Sequence, residues 1–177
     1  MLKKTPGYIP AILGYATSME RYVKPKQLGD VAIAYANVTV YALEQDNVGL
    51  AGATFKRSLK VSESIEGDRI ETLKFLSTIS FTKDLATEIY YELGLELMKS
   101  ESTISNALEA FKISNAFGSE TQNIFSSKSL FQIAKLTLDM EGKPKKVLQK
   151  IEIALSQGMG DLQADGLVLS GQIKEVR

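Results

Sequence analysis

Apolar side chains recur at helical spacing along most of the chain, and this periodicity limits the fold more than any other feature of the sequence. Val147, Leu148, Ile151, Ala154 and Leu155 fall at i, i+1, i+4, i+7 and i+8, one stripe on one helix face. Ile104, Ala107, Leu108 and Phe111 repeat the pattern, as do Leu85, Ile89, Leu93 and Leu97. Asp68-Arg69-Ile70-Glu71 and Ser119-Glu120-Thr121-Gln122 read as capping boxes, whose side chains satisfy the free amides of a first turn. Pro10, Pro25 and Pro144 suit first turns, where the missing N–H goes unused. Gly67, Gly118 and Gly142 stand where left-handed helix ends are expected. The spacing predicts nine helices, over 8–23, 26–45, 48–66, 69–81, 84–100, 103–117, 120–141, 144–157 and 161–175. Links of only a few residues make successive helices antiparallel. Val38-Thr39-Val40-Tyr41 has strand-like composition, but the stretch from Leu28 to Leu43 is too long for an ordinary strand.

A second regularity is longer. Leu13-Gly14, Ala51-Gly52, Leu93-Gly94, Ile133-Ala134 and Ser170-Gly171 each place a small residue in the first helix of a hairpin, at intervals of 37 to 42 residues. A small side chain lets two helices approach closely, a physical reason for its return. Thirteen residues after Gly94 stands Ala107, followed by Phe111 and Ser114; thirteen after Ala134 stands Val147, followed by Ile151 and Ala154. Lys24-Pro25-Lys26 and Lys143-Pro144-Lys145 echo one another at the turns.

With Leu93-Gly94 and Leu97, then Ala107 and Phe111, the chain resembles the tetratricopeptide repeat family and its L-G-x2-Y and A-x3-F elements. Gly142 to Val147 through Ala154-Leu155 is similar to the turn and second helix of another unit, so the likeness covers roughly residues 84–157. The spacing near 40 exceeds the usual 34 of that family, and Tyr90 stands where tryptophan is typical; longer-helix relatives, HEAT-type arrays and a non-repetitive bundle remain alternatives. The fold implied is all-α, a right-handed superhelix of antiparallel helix pairs with about nine helices. It forms one helical-repeat domain over 1–177, with hairpins at about 8–45, 48–81, 84–117 and 120–157 and a terminal helix at 161–175.

Composition removes much chemistry. The chain has no cysteine and no histidine, which excludes zinc sites built on those residues, thiolate nucleophiles and Ser-His systems. Lysine plus arginine and aspartate plus glutamate each total 21, so no basic field points to nucleic acid. No apolar run is long enough to span a bilayer. Lys3-Lys4 and the short apolar stretch from Tyr8 to Ala16 imitate a leader, but Pro10 and Gly14 interrupt it and an amphipathic helix is the better expectation. A cytoplasmic location is the default expectation.

Other motifs carry little. Glu88, Glu92 and Glu96 form an i, i+4, i+8 row, more often a solvated face than a cation site. Ser80-Phe81-Thr82-Lys83 matches S-x-x-K without its companion motifs. Asp161 and Asp165 are one acidic pair, and Gly158-Met159-Gly160 reads as a turn. Lys143, Lys145, Lys146 and Lys150, like Lys24 and Lys26, sit at hairpin turns, and Asn37-Val38-Thr39 lies inside a predicted helix. No cofactor is expected.

The resemblance implies a concave surface, lined by the first helix of each pair, that holds a peptide or a partner helix. On that register the inward candidates are Tyr15, Met19, Lys56, Arg57, Tyr91, Met98, Lys99, Phe131, Lys135 and Leu138. The chaperone-binding members grip a terminal carboxylate with Lys and Asn where this chain has Ala11, Tyr15, Gly49 and Ala53, so that activity is not expected. The expected function is a non-catalytic protein-interaction scaffold. Two alternatives stand beside it: a structural homo-oligomer joined through Leu162, Leu169, Ile173 and Val176 of the terminal helix, or a helical enzyme using carboxylates and lysines.

Overall fold

A computed structural model describes residues 8–24, 27–65, 69–141 and 144–175, all but Tyr8 and Glu141 of these with their side chains. Among the described residues the chain forms nine α-helices, two short 3₁₀ turns and no strand. The helices are α1 (Tyr8–Tyr22), α2 (Leu28–Glu44), α3 (Val48–Ser62), α4 (Ile70–Thr78), α5 (Lys83–Leu97), α6 (Ile104–Gly118), α7 (Ile124–Glu141), α8 (Pro144–Gln157) and α9 (Gln163–Glu175). The chain divides into two compact units, Met1–Ser80 and Phe81–Arg177. Pro25, Gly67, Asp68, Gly142, Lys26, Lys143 and Val176, to which roles were assigned above, lie outside the described residues.

In the first unit α2 is the central element. Val31, Ala32, Ala34, Tyr35, Ala36, Val38, Thr39 and Ala42 are buried on it, because α1, α3 and α4 all pack against it. A helix covered on several sides must be apolar nearly all round. The Thr39 and Thr54 hydroxyls meet at 2.8 Å, while seven residues earlier on α2 the Ala32 carbonyl accepts from Ser58, four residues later on α3, at 2.6 Å. Rising numbers on α3 therefore meet falling numbers on α2, and the pair is antiparallel.

The second unit repeats this device. Ser114 of α6 donates to the Thr87 carbonyl of α5 at 2.7 Å, and seven residues on, Gly94 faces Phe111. Ser129 of α7 donates to Ser114 at 2.8 Å and Ser126 to the Asn115 carbonyl at 3.2 Å, so α7 again reverses direction. Phe131, Ala134, Val147, Leu148, Ile151, Ala154, Met159 and Ile173 form the core of α7, α8 and α9. The stripe read at 147–155 thus points inward, as do Leu85, Ile89, Leu93 and Leu97.

Three local expectations change. A Cβ on Gly94 would lie 2.6 Å from Phe111, a true close approach, whereas Gly14, Gly52 and Gly171 have nothing within 4 Å. In α3 the buried neighbour Ala51 takes the interface, and one residue along a helix turns the next side chain about 100° away. In α9 the crowded glycine is Gly166, against Met159 and Leu155. Gly118 does not end α6 in a left-handed turn; it closes against Thr87 and Ser126, and the left-handed residue is Gln122 at φ 52°. The 119–122 box therefore caps nothing, and α7 begins at Ile124 under Asn123, whose Oδ1 accepts from the Phe125 N–H at 2.9 Å. Helix α4 is shorter than predicted, because the Ile79 N–H turns to the Leu76 carbonyl.

Candidate partner-binding face

Within the second unit α5 and α7 pack directly on one another, although α6 separates them in sequence. Thr82, in extended backbone, accepts from the Leu85 N–H at 3.2 Å and starts α5. Asn123 starts α7 and sets Phe125, Lys128 and Gln132 on successive turns. Between the helices the Tyr91 ring lies 5.9 Å from Phe111 and 5.4 Å from Phe125, both tilted, the favoured aromatic arrangement.

Lys128 closes this aromatic group. Its ammonium stands 6.0 Å from the Tyr91 centroid and 5.6 Å from that of Phe125, and its side chain is only 14% exposed. Ring faces offset part of the cost of desolvating a cation, by roughly 0.5–2 kcal/mol. Its ion-pair partner is Asp161 at 2.5 Å, whose side chain is 74% exposed. Asp161 belongs to the α8–α9 link, where Gly158 (φ 85°) and Gly160 (φ 56°) take backbone conformations that glycine adopts at no steric cost. A side-chain hydrogen bond from Lys128, then its charge, holds the Asp161 carboxyl below its ordinary value of 3.8. Burial pushes the Tyr91 phenol up to about 12; Glu92 and Asp161 add to the effect, and the Gln132 side chain opposes it. Gln132 is itself buried, and its Oε1 has no hydrogen-bond partner.

The predicted site residues separate into two kinds. Tyr91 and Phe131, 5% and 1% exposed, are packing residues of the second unit, with the Lys135 ammonium 5.8 Å above the Phe131 ring. Lys99 and Lys135 are exposed, and Met98 and Leu138 are half-buried. Lys99 pairs with the buried Glu96 at 2.8 Å, which takes that carboxylate out of the glutamate row. Among the described residues no group of three or more acidic side chains is placed to hold a metal ion. In the first unit Tyr15 is 61% exposed and Lys56 is exposed. Arg57 grips Glu20 of α1 through two nitrogens, and Glu20 also accepts from the Tyr35 hydroxyl at 2.7 Å. That hydrogen bond to Glu20 raises the Arg57 pKa above its ordinary value. Met19 packs against the core formed by Ala16, Val31 and Tyr35.

Lys128, Gln132 and Phe125 were missed by the sequence reading, and Asp161 was weighed only as an acidic pair with Asp165. Lys128 lies seven residues before Lys135 and so on the same stripe of α7, a signal that was present; the approach of Asp161 is long-range and left none. A separate cleft of about 350 Å³ is lined by Gly118, Ser119, Gln122, Asn123, Ser126, Ser127, Ser156 and Gln157, all uncharged. Thr82 and Lys83 of the S-x-x-K match are spent on the α5 cap and on an ion pair with Glu120. The chain matches no protein-family model, and no curated protein matches it.

Proposed function

We propose that this chain is a non-catalytic protein-interaction scaffold of tetratricopeptide type, and that the face shared by α5 and α7 receives a peptide or helix of a partner protein. The observation that carries this reading is the direct packing of α5 on α7 past the intervening α6. Alternate helices lying side by side are what successive hairpins produce when they stack. Gly94 against Phe111, with Ala107 buried beside them, is consistent with the residues on which the family resemblance rests. By helical spacing Leu95 follows Tyr91 along α5, with Met98 and Lys99 in the turn that ends it, and Lys135, Leu138 and Asp139 follow Lys128 along α7. Half-buried apolar residues beside exposed charges suit an amphipathic ligand. The test is capture of partners from native lysate with the wild type, Lys99→Glu, Lys135→Glu and, on α6, Lys112→Glu. Loss of the same partners on the first two and retention on the third is expected; retention on all of them overturns the reading.

A second reading, self-association through α9, is favoured by one observation: Leu167 and Val168 on its outer face are each 60% exposed. The stripe expected to serve this purpose points the other way, since Leu162, Leu169 and Ile173 pack on the core of α7 and α8. Sedimentation that is independent of concentration, with Leu167→Glu behaving as the wild type, removes it.

A further inference from the structure

Lys128 is an unusual cation for a surface of this kind. Its desolvation is already borne by the fold, as it is fixed over the Tyr91 and Phe125 rings with little exposure. The carboxylate of its ion pair with Asp161 comes from a solvent-exposed aspartate on a short link that turns at two left-handed glycines. One turn farther along α7 the Gln132 Oε1 is buried without a partner, and the Tyr91 phenol stays protonated and able to donate. A buried polar group left unpaired costs stability, and a site that retains one holds unused recognition capacity. An acidic side chain bonded to a peptide N–H would meet both needs. The carboxylate would take Lys128, and the amide would reach the Gln132 oxygen.

We propose that an acidic side chain of the partner protein takes the place of Asp161 against Lys128, beside Gln132 and Tyr91, and that Asp161 is the chain's own stand-in, which the partner must displace. The inference rests on the α5–α7 face being the binding face. It makes the wild type a partly self-occupied receptor, with an apparent affinity lowered by the fraction of time Asp161 is docked.

The test uses the full chain and a fluorescent, N-acetylated, C-amidated hexaglutamate peptide, with hexaglutamine as control, read by anisotropy at low salt. Asp161→Asn keeps the shape of the link and removes the competitor, and it is expected to bind hexaglutamate about five-fold tighter than the wild type, the scale of one partly exposed ion pair. Lys128→Met added to Asp161→Asn is expected to cancel that gain. Asp165→Asn, which removes an equal charge from α9, is expected to leave binding unchanged. Equal binding by Asp161→Asn and wild type overturns the proposal, as does a gain that survives Lys128→Met or is matched by Asp165→Asn. If Lys128→Met does not fold, the Lys128 ¹³Cε resonance of Asp161→Asn replaces it: a shift with hexaglutamate supports the site, and an unmoved resonance overturns it. Partner capture that fails on Lys99→Glu and Lys135→Glu while Asp161→Asn has no effect keeps the face and discards the Lys128 site.

Discussion

Replacing Gly94 with alanine places a methyl group 2.6 Å from Phe111 Cε1 and 2.8 Å from its Cδ1 and Cζ. Ordinary contacts of this kind begin near 3.4 Å, so the ring must retreat by most of an ångström. Phe111 is fully buried and already packed against Tyr91 at 5.9 Å, which leaves it no free direction. Overpacking of this kind costs about 1–3 kcal/mol. Alanine in a helix interior returns roughly 1 kcal/mol over glycine, so the net expectation is a loss of up to about 2 kcal/mol. Gly52→Ala reverses the sign, because nothing lies within 4 Å of its Cβ position and the propensity gain of about 0.5–1 kcal/mol stands alone. Urea unfolding followed by far-ultraviolet circular dichroism measures both. Phe111→Leu in the Gly94→Ala background should recover part of the loss, since it shortens the group that clashes. If Gly94→Ala stabilises the protein as Gly52→Ala does, the close approach of α5 and α6 described here is wrong.

Three further outcomes follow from the same geometry. Gly118→Ala should cost more than Gly94→Ala, above about 2 kcal/mol by urea unfolding, because one neighbour is the Ser126 Cβ at 2.7 Å, which moves only with its backbone. Tyr91 should ionise near pH 12, as followed by phenolate absorbance. Its folded pKa lies above the unfolded value of 10.0, so its contribution to stability is whole below pH 10 and is lost as pH rises toward 12. Relative to Tyr91→Phe, the wild type should lose stability in that window and nowhere else. Hydrogen bonds from Asn123 and then Thr121 hold the Asp84 carboxyl below 3.8. A depressed carboxyl contributes stability above its unfolded value that is lost as pH falls through the folded one, so the stability difference between wild type and Asp84→Asn should shrink on acidification below pH 3.8.

Helix existence was legible because burial imposes a period on composition: the 85–97 and 147–155 stripes are inward-facing in the structure. The tight hairpin contact was legible at Gly94 but not at Gly14, Gly52 or Gly171, where the same residue type serves no approach. A small residue marks a contact only when its helix phase also points there. The start of α7 was misplaced because the Ser119-Glu120-Thr121-Gln122 pattern is locally sound, while the packing of Gly118 on Thr87 carries α6 up to that stretch and leaves Asn123 as the cap. For the candidate site, counting from Gly94 and Ala134 found exposed Lys99 and Lys135 but also Tyr91 and Phe131, whose rings the unit covers. The Lys128–Asp161 pair joins residues far apart in sequence, and no local periodicity encodes such a meeting.

The central claim, that partners engage the α5–α7 face, is tested most directly by photo-cross-linking with benzoylphenylalanine placed singly at Lys99, Lys135, Asn106 and Lys112. All four positions are exposed, the first two on the proposed face and the last two on α6. Covalent capture of one common partner from Lys99 and Lys135, and not from Asn106 or Lys112, is the predicted result. Capture of that partner through the α6 positions alone, or with equal yield from all four, contradicts it.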